Sequence, residues 1–377
     1  MVARIRPQRR TLIWLVSLLA LASALFVLTT SIQRAHGGPA SAAQLASVLD
    51  RGGDDTKIWR SARECERAIA LKRRLPRTPQ SARVASWNIR WFPDNVLDPE
   101  QGPEAGTNLE WLSCALAWLD ADVIAVQEFR THERGRKLTR ELLSRLDARS
   151  GGSWKLELDR CPGKDIESHV GFLYDSTRAT LDHSQTIESM NPDWGCNADF
   201  DRGFARHFRF PGGLDAHLVA LHLQWGTEER QITRRRRAYD RIGEIWANLQ
   251  KVVVDPDVLF LGDFNTSGCD ECYPTLSSPG EVAELHYKLN KRNPRFRLLD
   301  ARPGCTEYDE NLATPIDHIV AYAGMAEVPE RAVVEVYGSC RALRCRALDR
   351  KNPFSSSLEE LSDHCPIVLT LPDRDRD

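Results

Sequence analysis

The sequence lacks an internal repeat, which argues against repeat architectures such as solenoids and propellers. It also lacks a surplus of basic residues, since 51 Lys and Arg stand against 53 Asp and Glu in 377 residues. Residues 1–36 hold five Arg and no acid, so the rest of the chain has 46 basic and 53 acidic residues and a formal charge of −7. This balance argues against a protein that binds nucleic acid mainly through a basic surface, although an enzyme needs positive charge only locally.

The amino-terminal segment, residues 1–36, differs in composition from the rest. Residues 1–10 contain four Arg, and residues 11–30 contain no charged side chain. This pattern predicts an export signal or an uncleaved membrane anchor. Small residues at 35–43 suit cleavage, whereas the apolar stretch is long enough to span a bilayer. We therefore expect an exported protein of the cell envelope, the periplasm or the extracellular space, with anchoring in the inner membrane by residues 11–30 left open.

Ten cysteines in an exported chain predict disulfide bonds, because the compartment beyond the membrane is oxidising. Cys114 lies in an apolar helical pattern and Cys365 begins an apolar strand, so we interpret both as buried thiols. The other eight are expected in disulfides: Cys65, Cys161, Cys196, Cys269, Cys272, Cys305, Cys340 and Cys345. The spacing of Cys269 and Cys272, taken with Cys340 and Cys345, is also compatible with a zinc site.

The chain is expected to contain one large domain. Residues 37–80 are rich in Ala, Ser, Arg and Pro and are interpreted as a linker or amino-terminal extension. Over residues 81–372, short apolar strands alternate with amphipathic helical patterns, which indicates an α/β layered domain. Residues 373–377 form a charged tail.

Polar side chains follow most of the apolar strands at the point where each strand ends. The stretch VLFLGDFNTS at residues 258–267 is an example, with a buried strand that runs into an aspartate and an asparagine. Turn chemistry accounts for one such coincidence, but six strand ends of this kind favour a shared site. The residues concerned are Asn88, Glu128, His222, Asp263, Asn265, Asp317, Asp363 and His364.

The segments SWNIRWF, IAVQEF, ALHL, LGDFN, PIDHI and LSDHCPI follow one another in an order that resembles the endonuclease/exonuclease/phosphatase superfamily. This superfamily includes pancreatic-type deoxyribonucleases, apurinic endonucleases, neutral sphingomyelinases and inositol polyphosphate 5-phosphatases. The resemblance covers residues 81–372. It implies an α/β fold of the DNase I-like type, a four-layer α/β sandwich in which two packed mixed β-sheets are flanked by helices.

The resemblance implies a Mg²⁺-dependent hydrolase that acts on phosphoester bonds. It assigns the metal to Asn88, Glu128 and Asp363, with Mn²⁺ or Ca²⁺ as alternatives. The residue types agree with this, because Mg²⁺ takes hard oxygen ligands and keeps several waters. A carboxylate such as Glu128 at the end of a buried strand is also costly unless a cation or a donor pairs with it.

The resemblance also assigns the remaining roles. Asp263 orients and activates the attacking water, and the amide of Asn265 holds that water or the phosphate. His222 and His364 donate hydrogen bonds to phosphoryl oxygens as negative charge develops. Asp317 fixes the tautomer and the charge of His364. The neighbouring His318 is interpreted as a packing residue.

The segment LHLQWG narrows the class of substrate. It resembles the deoxyribonuclease-like and sphingomyelinase-like branches of the superfamily, so we do not expect a role in apurinic-site repair. We predict a monomeric nuclease that hydrolyses phosphodiester bonds of nucleic acid. One alternative is a phosphodiesterase or phosphatase directed at phospholipids of a membrane surface. The other is a non-catalytic binding protein on the same fold.

A helix predicted from about residue 228 to residue 250 places four arginines on one face: Arg230, Arg234, Arg237 and Arg241. This stripe suits a nucleic-acid backbone or anionic headgroups, and it equally suits a solvated helix face. Trp91, Trp194 and Trp225 are candidates for stacking on bases, for contact with a membrane or for core packing. Arg202 and Arg206 are candidate phosphate contacts.

Overall fold

The structure is a computed structural model. It describes residues 55–96, 106–160, 168–184, 190, 201–309, 311–348, 352 and 354–376. The predicted signal or anchor segment, Trp194, Cys161 and Cys196 lie outside the described residues. Among the helices that the structure describes, none is long and apolar enough to cross a membrane.

Short apolar segments form the strands that the alternating sequence pattern predicts. In chain order the strands are β1 (Ser81–Phe92), β2 (Val123–Phe129), β3 (Trp154–Leu158), β4 (His169–Asp175), β5 (Thr180–Ser184), β6 (Arg202–Arg209), β7 (Asp215–His222), β8 (Val258–Asp263), β9 (Gly268–Cys269), β10 (Leu276–Ser277), β11 (Phe296–Leu298), β12 (Asp300–Arg302), β13 (Glu307–Asp309), β14 (Leu312–Thr314), β15 (Asp317–Tyr322), β16 (Val333–Val336) and β17 (Ile367–Pro372).

Seven helices follow capping and amphipathic signals in the sequence. They are α1 (Ala62–Ala70), α2 (Leu109–Leu119), α3 (Glu133–Ser150), α4 (Glu229–Leu249), α5 (Ser278–Lys291), α6 (Gly338–Leu343) and α7 (Ser355–Glu360), within the residues that are described. Asn108 caps α2 by accepting a hydrogen bond from the backbone of Trp111, and Ser277 caps α5 in the same way.

The strands form two large mixed sheets. The first sheet has the order β12-β16-β17-β1-β2-β4-β3, and the second has the order β11-β15-β8-β7-β6-β5. The pairs β1–β2 and β7–β8 are parallel, while β1–β17 and β8–β15 are antiparallel. Two short hairpins, β9–β10 and β13–β14, are separate from both sheets.

The two sheets pack face to face, and helices cover their outer faces. Along β7, Leu218 and Ala220 belong to the core between the sheets, whereas Val219 and Leu221 belong to a second core under α4 and α5. The helices α1, α2 and α3 pack on the other side of the first sheet. The predicted four-layer α/β sandwich is therefore confirmed.

Residues 57–75, within the segment interpreted as a linker or extension, pack on this sandwich. A single 3₁₀ turn, Lys57–Trp59, places the Trp59 ring 5.8 Å from Trp87 and 6.1 Å from Trp118. Trp59 of the amino-terminal segment thus packs on aromatic side chains of the first sheet and of α2.

In the part of the chain that the structure describes, four disulfide bonds join Cys65 to Cys114, Cys269 to Cys272, Cys305 to Cys345 and Cys340 to Cys365. The expectation of disulfides is confirmed, and no described cysteine is free. The interpretation of Cys114 and Cys365 as buried thiols is wrong, because burial in an apolar pattern is shared by thiols and by disulfide-bonded sulfurs. The same pairing excludes the zinc alternative.

Candidate active site

The strand order brings most of the predicted residues to one end of the two sheets. Asp263 ends β8 and lies in register with His222 on β7 and with Asp317 on β15. Gly262 makes this close approach possible, since it has φ 152° and a Cβ there would lie 2.0 Å from the carbonyl oxygen of Leu221. The sequence GDFN therefore places its aspartate between two other site residues.

Asn88 connects the two sheets at this end. Its Nδ2 donates to Glu128 Oε1 at 3.0 Å and to Asp263 Oδ2 at 3.1 Å, and its Oδ1 accepts from the backbone N–H of Arg90 at 3.0 Å. Asn88 belongs to the first sheet and Asp263 to the second. One amide thus holds two buried carboxylates together.

Glu128 is positioned by an irregularity of β2. The pairing register shifts between Val126 and Phe129, and Glu128 has φ 60°, which is rare for a residue with a side chain. Its Oε2 accepts a hydrogen bond from the backbone N–H of Trp91 at 3.0 Å. Backbone strain of this kind is held in place by its surroundings and is common at functional sites.

His364 and Asp317 form a hydrogen-bonded pair, with His364 Nδ1 2.9 Å from Asp317 Oδ2. The other ring nitrogen, Nε2, lies 3.8 Å from Asp263 Oδ2 and 3.8 Å from Glu307 Oε1. The backbone carbonyl of His364 accepts a hydrogen bond from the indole of Trp87 at 3.0 Å. Trp87 of the SWN motif therefore holds the backbone of His364 in the SDH motif in place.

Glu307 is a site residue that the sequence reasoning missed. It begins the short strand β13, forms an isolated bridge with His364, and accepts a hydrogen bond from the Thr314 hydroxyl. Burial raises its pKa to about 7. No apolar strand precedes Glu307 in the sequence, so the signal that identified the other carboxylates is missing.

The two histidines of the site differ in charge. Burial, with the positive charges of His364 and Arg202, lowers the pKa of His222 to about 3, so His222 is neutral. Burial also opposes the charged form of His364, but Asp317, Asp263 and Glu307 together raise its pKa well above the ordinary value. His364 is therefore an imidazolium at neutral pH.

Two buried carboxyl groups of the site, Glu128 and Asp263, have raised pKa values. Burial raises the pKa of Glu128, although His364 and the Asn88 amide oppose that shift. Burial also raises the pKa of Asp263 well above the ordinary value, against the effect of His364. His222 Nε2 lies 3.7 Å from Glu128 Oε1 and 3.6 Å from Asp263 Oδ2, which is too long for a hydrogen bond.

Asp363 lies at the mouth of the site rather than beside Asn88. Its Oδ2 is 3.2 Å from Arg90 Nε, and its side chain is 27% exposed. It lines a surface cavity of about 550 Å³ together with Tyr308 and Asp309. Its charge still raises the pKa of Glu128, and its assignment as a metal ligand stays a prediction.

Asn265 follows Asp263 in a left-handed conformation with φ 50°. Its Nδ2 donates to the carbonyl of Leu223 at 2.8 Å, and its backbone N–H donates to Asp263 Oδ1 at 2.8 Å. These contacts fix the Asp263 carboxylate and the segment that follows His222. A direct role of Asn265 on water or phosphate stays a prediction.

Of the other singled-out residues, Arg202 lies in register with His222, and the rest have partners away from the site. His318 is buried against Phe264, with its Nε2 2.9 Å from the Thr266 hydroxyl. Arg202 contacts Asp159 at 3.1 Å, and Arg206 contacts Glu157 at 3.4 Å. In the stripe on α4, Arg230 pairs with Glu228, Arg234 donates to Gln224, and Arg241 lies 3.6 Å from Glu244.

The residues at this end fit a divalent metal ion. Asn88 Nδ2 brings the carboxylate oxygens of Glu128 and Asp263 to one amide group, and Asp263, Asp317 and His364 form a group whose ligand atoms lie within 4.8 Å. Three buried carboxylates and the partly exposed Glu307 lie near the single imidazolium of His364. Hard oxygen ligands with an excess of negative charge are what Mg²⁺, Mn²⁺ or Ca²⁺ requires.

Comparisons with known proteins gave matches among solved structures only. No family model and no curated protein matches the chain. Among solved structures, an endonuclease/exonuclease/phosphatase from Bacteroides vulgatus is 15% identical, with 77% of this chain and 98% of that chain covered and a TM-score of 0.47. The human Nocturnin catalytic domain is 15% identical over 78% and 93%, with a TM-score of 0.47. A family protein from Leptotrichia buccalis is 14% identical over 77% and 99%, with a TM-score of 0.48.

Proposed function

We propose that the protein is a metal-dependent phosphodiesterase that cleaves its substrate by attack of water, with nucleic acid as the substrate. The observation that supports this most directly is that one cationic and one neutral histidine lie beside Asp263. His364 is cationic and His222 is neutral, and each directs Nε2 toward the same carboxylate oxygen at 3.8 and 3.6 Å.

The imidazolium of His364 suits a phosphoryl oxygen. Its Nδ1–H is held by Asp317 at 2.9 Å, so its Nε2–H is aimed toward Asp263. A donor that is fixed before the reaction stabilises the negative charge that develops on phosphorus-bound oxygens. His222 adds a neutral polar group on the other side of Asp263.

Asp263 is the proposed base. Its carboxylate is held by Asn88 and by the backbone of Asn265, and burial raises its pKa. A bound cation would favour the ionised form of Asp263, and an ionised carboxylate with a raised pKa takes a proton from water more readily. In the proposed step, the water loses a proton to Asp263 and its oxygen forms a bond to phosphorus. The bond from phosphorus to the leaving oxygen breaks, and that oxygen takes a proton from the surrounding water.

A divalent cation would be held by Glu128 and Asn88, with Asp263 beside them. When bound, it would supply charge neutralisation for the phosphate. The excess of buried carboxylates over cations at this end supports such an ion, and Mg²⁺ is the proposed one.

Nucleic acid is favoured by Trp225, which follows His222 by three residues and is 53% exposed. An exposed indole at the edge of a phosphodiester site suits stacking on a base, which contributes ~1–3 kcal/mol per base. The arginines of α4 support this substrate less, because three of the four contact Glu or Gln side chains.

The substrate is tested with the full chain and Mg²⁺ on double-stranded DNA, single-stranded RNA and sphingomyelin vesicles. We expect cleavage of nucleic acid, and Trp225→Ala is expected to raise KM about tenfold while leaving kcat near normal. Trp246→Ala, a tryptophan stacked on Tyr322 at 5.1 Å, is the matched control. Cleavage of vesicles alone would replace nucleic acid by lipid as the substrate.

We also propose that the protein is exported. The four disulfides support this, because such bonds persist in oxidising compartments, and the charge pattern of residues 1–30 supports it too. Fractionation of a bacterial host that expresses the full chain is expected to recover it outside the cytosol. Recovery in the cytosol with reduced cysteines would contradict export.

A further inference from the structure

A second cluster of acidic side chains lies at the other end of the second sheet. Asp257 directly precedes β8, Glu327 lies in the turn region after β15, and Asp375 follows β17. One carboxylate oxygen of each lies within 4.8 Å of the others. Three segments that are far apart in the sequence thus bring three negative charges to one point.

Glu327 makes this cluster unusual. Its side chain is 0% exposed, and neither Oε1 nor Oε2 has a hydrogen-bond partner among the described residues. A buried carboxylate without a donor is costly, because nothing replaces its lost hydration. The nearby buried His207 shows the contrast, since its Nε2 contacts Asp255 Oδ2 at 2.7 Å. Glu327 therefore lacks the partner that other buried charged groups of this region have.

The cluster is separate from the candidate active site. Asp257 directly precedes β8 and Asp263 ends it. Six steps along a strand correspond to roughly 20 Å. An ion bound by Asp257 and Glu327 would thus contact none of the residues that hold the phosphodiester site.

We propose that Asp257, Glu327 and Asp375 bind a calcium ion. The ligands are carboxylate oxygens on three irregular segments, and Ca²⁺ accepts six to eight oxygens in a flexible geometry, whereas Mg²⁺ requires a near-ideal octahedron. Glu327 supplies a buried ligand with no competing donor. Asp375 is exposed and gives the ion a path from solvent.

The calcium ion ties the segment after β17 to the rest of the domain. The adjacent Arg376 lies 3.5 Å from the carbonyl of Ala326, so this segment already contacts the turn region that carries Glu327. A bound ion would add a stronger link between that segment, the start of β8 and the connection from β15 to β16. The site is therefore structural and does not depend on the proposed activity.

The test is calcium binding by the chelator-treated full chain, measured by titration calorimetry and by thermal unfolding. We use the Glu128→Gln background, which removes a ligand of the proposed active-site metal. One equivalent of Ca²⁺ is expected to bind, and Tm is expected to rise by roughly 5 °C at about a hundred times the dissociation constant.

Glu327→Gln is the decisive variant, because it keeps the shape of the side chain and removes its charge. Without calcium, Glu327→Gln is expected to melt higher than the parent, and with calcium the order reverses. Glu330→Gln, an exposed residue of the same turn region, is the matched control and keeps the full calcium response. Asp375→Asn, at an exposed position, is expected to weaken binding at least tenfold without affecting folding.

Two results would overturn the proposal. One is a Tm of the parent that calcium does not change, with no heat of binding. The other is a calcium response that Glu327→Gln and Asp375→Asn both retain in full. Because hydrolysis at the other end of the sheet is assayed separately with Mg²⁺, neither result bears on the proposed function.

Discussion

The proposed phosphate contact depends on the Asp317–His364 pair. Asp317 holds Nδ1 of His364 at 2.9 Å and is a main reason why the pKa of that histidine stays high despite burial. Asp317 therefore sets the orientation of the group proposed to contact phosphate and, with Asp263 and Glu307, stabilises its positive charge.

Asp317→Asn is expected to lower kcat by roughly a hundredfold or more, since the amide cannot stabilise the imidazolium. Steady-state hydrolysis and circular dichroism of the variant check this, with Asp309→Asn at the rim of the surface cavity as the control. A folded Asp317→Asn protein with near-normal kcat would remove His364 from its assigned role.

His318 provides a test of pH-dependent stability. Burial lowers its pKa from 6.5 to about 4. Below about pH 6.5 the unfolded chain binds this proton and the folded chain does not, so stability falls as the pH falls from 6.5 toward 4. The contribution amounts to roughly 3 kcal/mol over that window.

His318→Gln is expected to lose this dependence while keeping a hydrogen bond to Thr266. Urea unfolding at about pH 7 and about pH 4.5 should show a smaller loss of stability for His318→Gln than for the parent. His286→Gln, which is exposed, should behave like the parent. Equal losses in all three proteins would show that His318 does not titrate in this window.

At the scale of elements, helix α4 is attached through a buried ion pair that the sequence did not reveal. Arg235 contacts Glu281 of α5 at 2.7 and 2.8 Å, and Glu281 also accepts from the Tyr239 hydroxyl and the backbone of Gly268. Both charged side chains are fully buried. Helical periodicity identified the arginine stripe, but it could not show that Arg235, next to Arg234 in the sequence, is buried against α5.

Glu281→Gln is expected to destabilise the fold by about 3–5 kcal/mol, because it leaves the Arg235 guanidinium buried without its counter-charge. Glu284→Gln removes the partly exposed pair with Arg236 on the same two helices and should cost about 1 kcal/mol or less. The free energy of unfolding in urea distinguishes them. Similar small costs for both variants would mean that Arg235 is not buried as described.

The elements also show what sequence patterns can predict. Strand ends with polar residues located Asn88, Glu128, His222, Asp263 and Asp317, because period-two burial and strand termination are local properties. Glu307 escaped this reasoning, since a two-stranded hairpin outside both sheets brings it to His364. Such a contact depends on tertiary packing and has no local signal.

For the whole molecule, the motif order was sufficient to predict the four-layer sandwich, but the disulfide pattern was not predictable. Apolar surroundings led to the interpretation of Cys114 and Cys365 as thiols, and only the three-dimensional structure pairs them with Cys65 and Cys340. Pairing depends on which elements become neighbours, and sequence alone does not determine that.

Loss of the Cys65–Cys114 disulfide and loss of the Cys340–Cys365 disulfide are expected to have different effects on activity. Replacement of Cys65 and Cys114 by alanine removes a link over 49 residues and should cost about 3–4 kcal/mol of stability, with kcat unchanged. Replacement of Cys340 and Cys365 should lower stability and also kcat, because Cys365 follows His364. Unfolding in urea and steady-state hydrolysis measure both effects. An unchanged kcat in the second variant would contradict this distinction.

The central claim is that the end of the two sheets that carries His364 hydrolyses phosphodiesters with the help of a divalent cation. Its most direct test is the hydrolysis of double-stranded DNA by the full chain with Mg²⁺, repeated after addition of a chelator and with His364→Ala. The account predicts cleavage that disappears with the chelator and in the variant. Cleavage that His364→Ala retains, or no cleavage of any phosphodiester by the folded, disulfide-bonded protein, would contradict it.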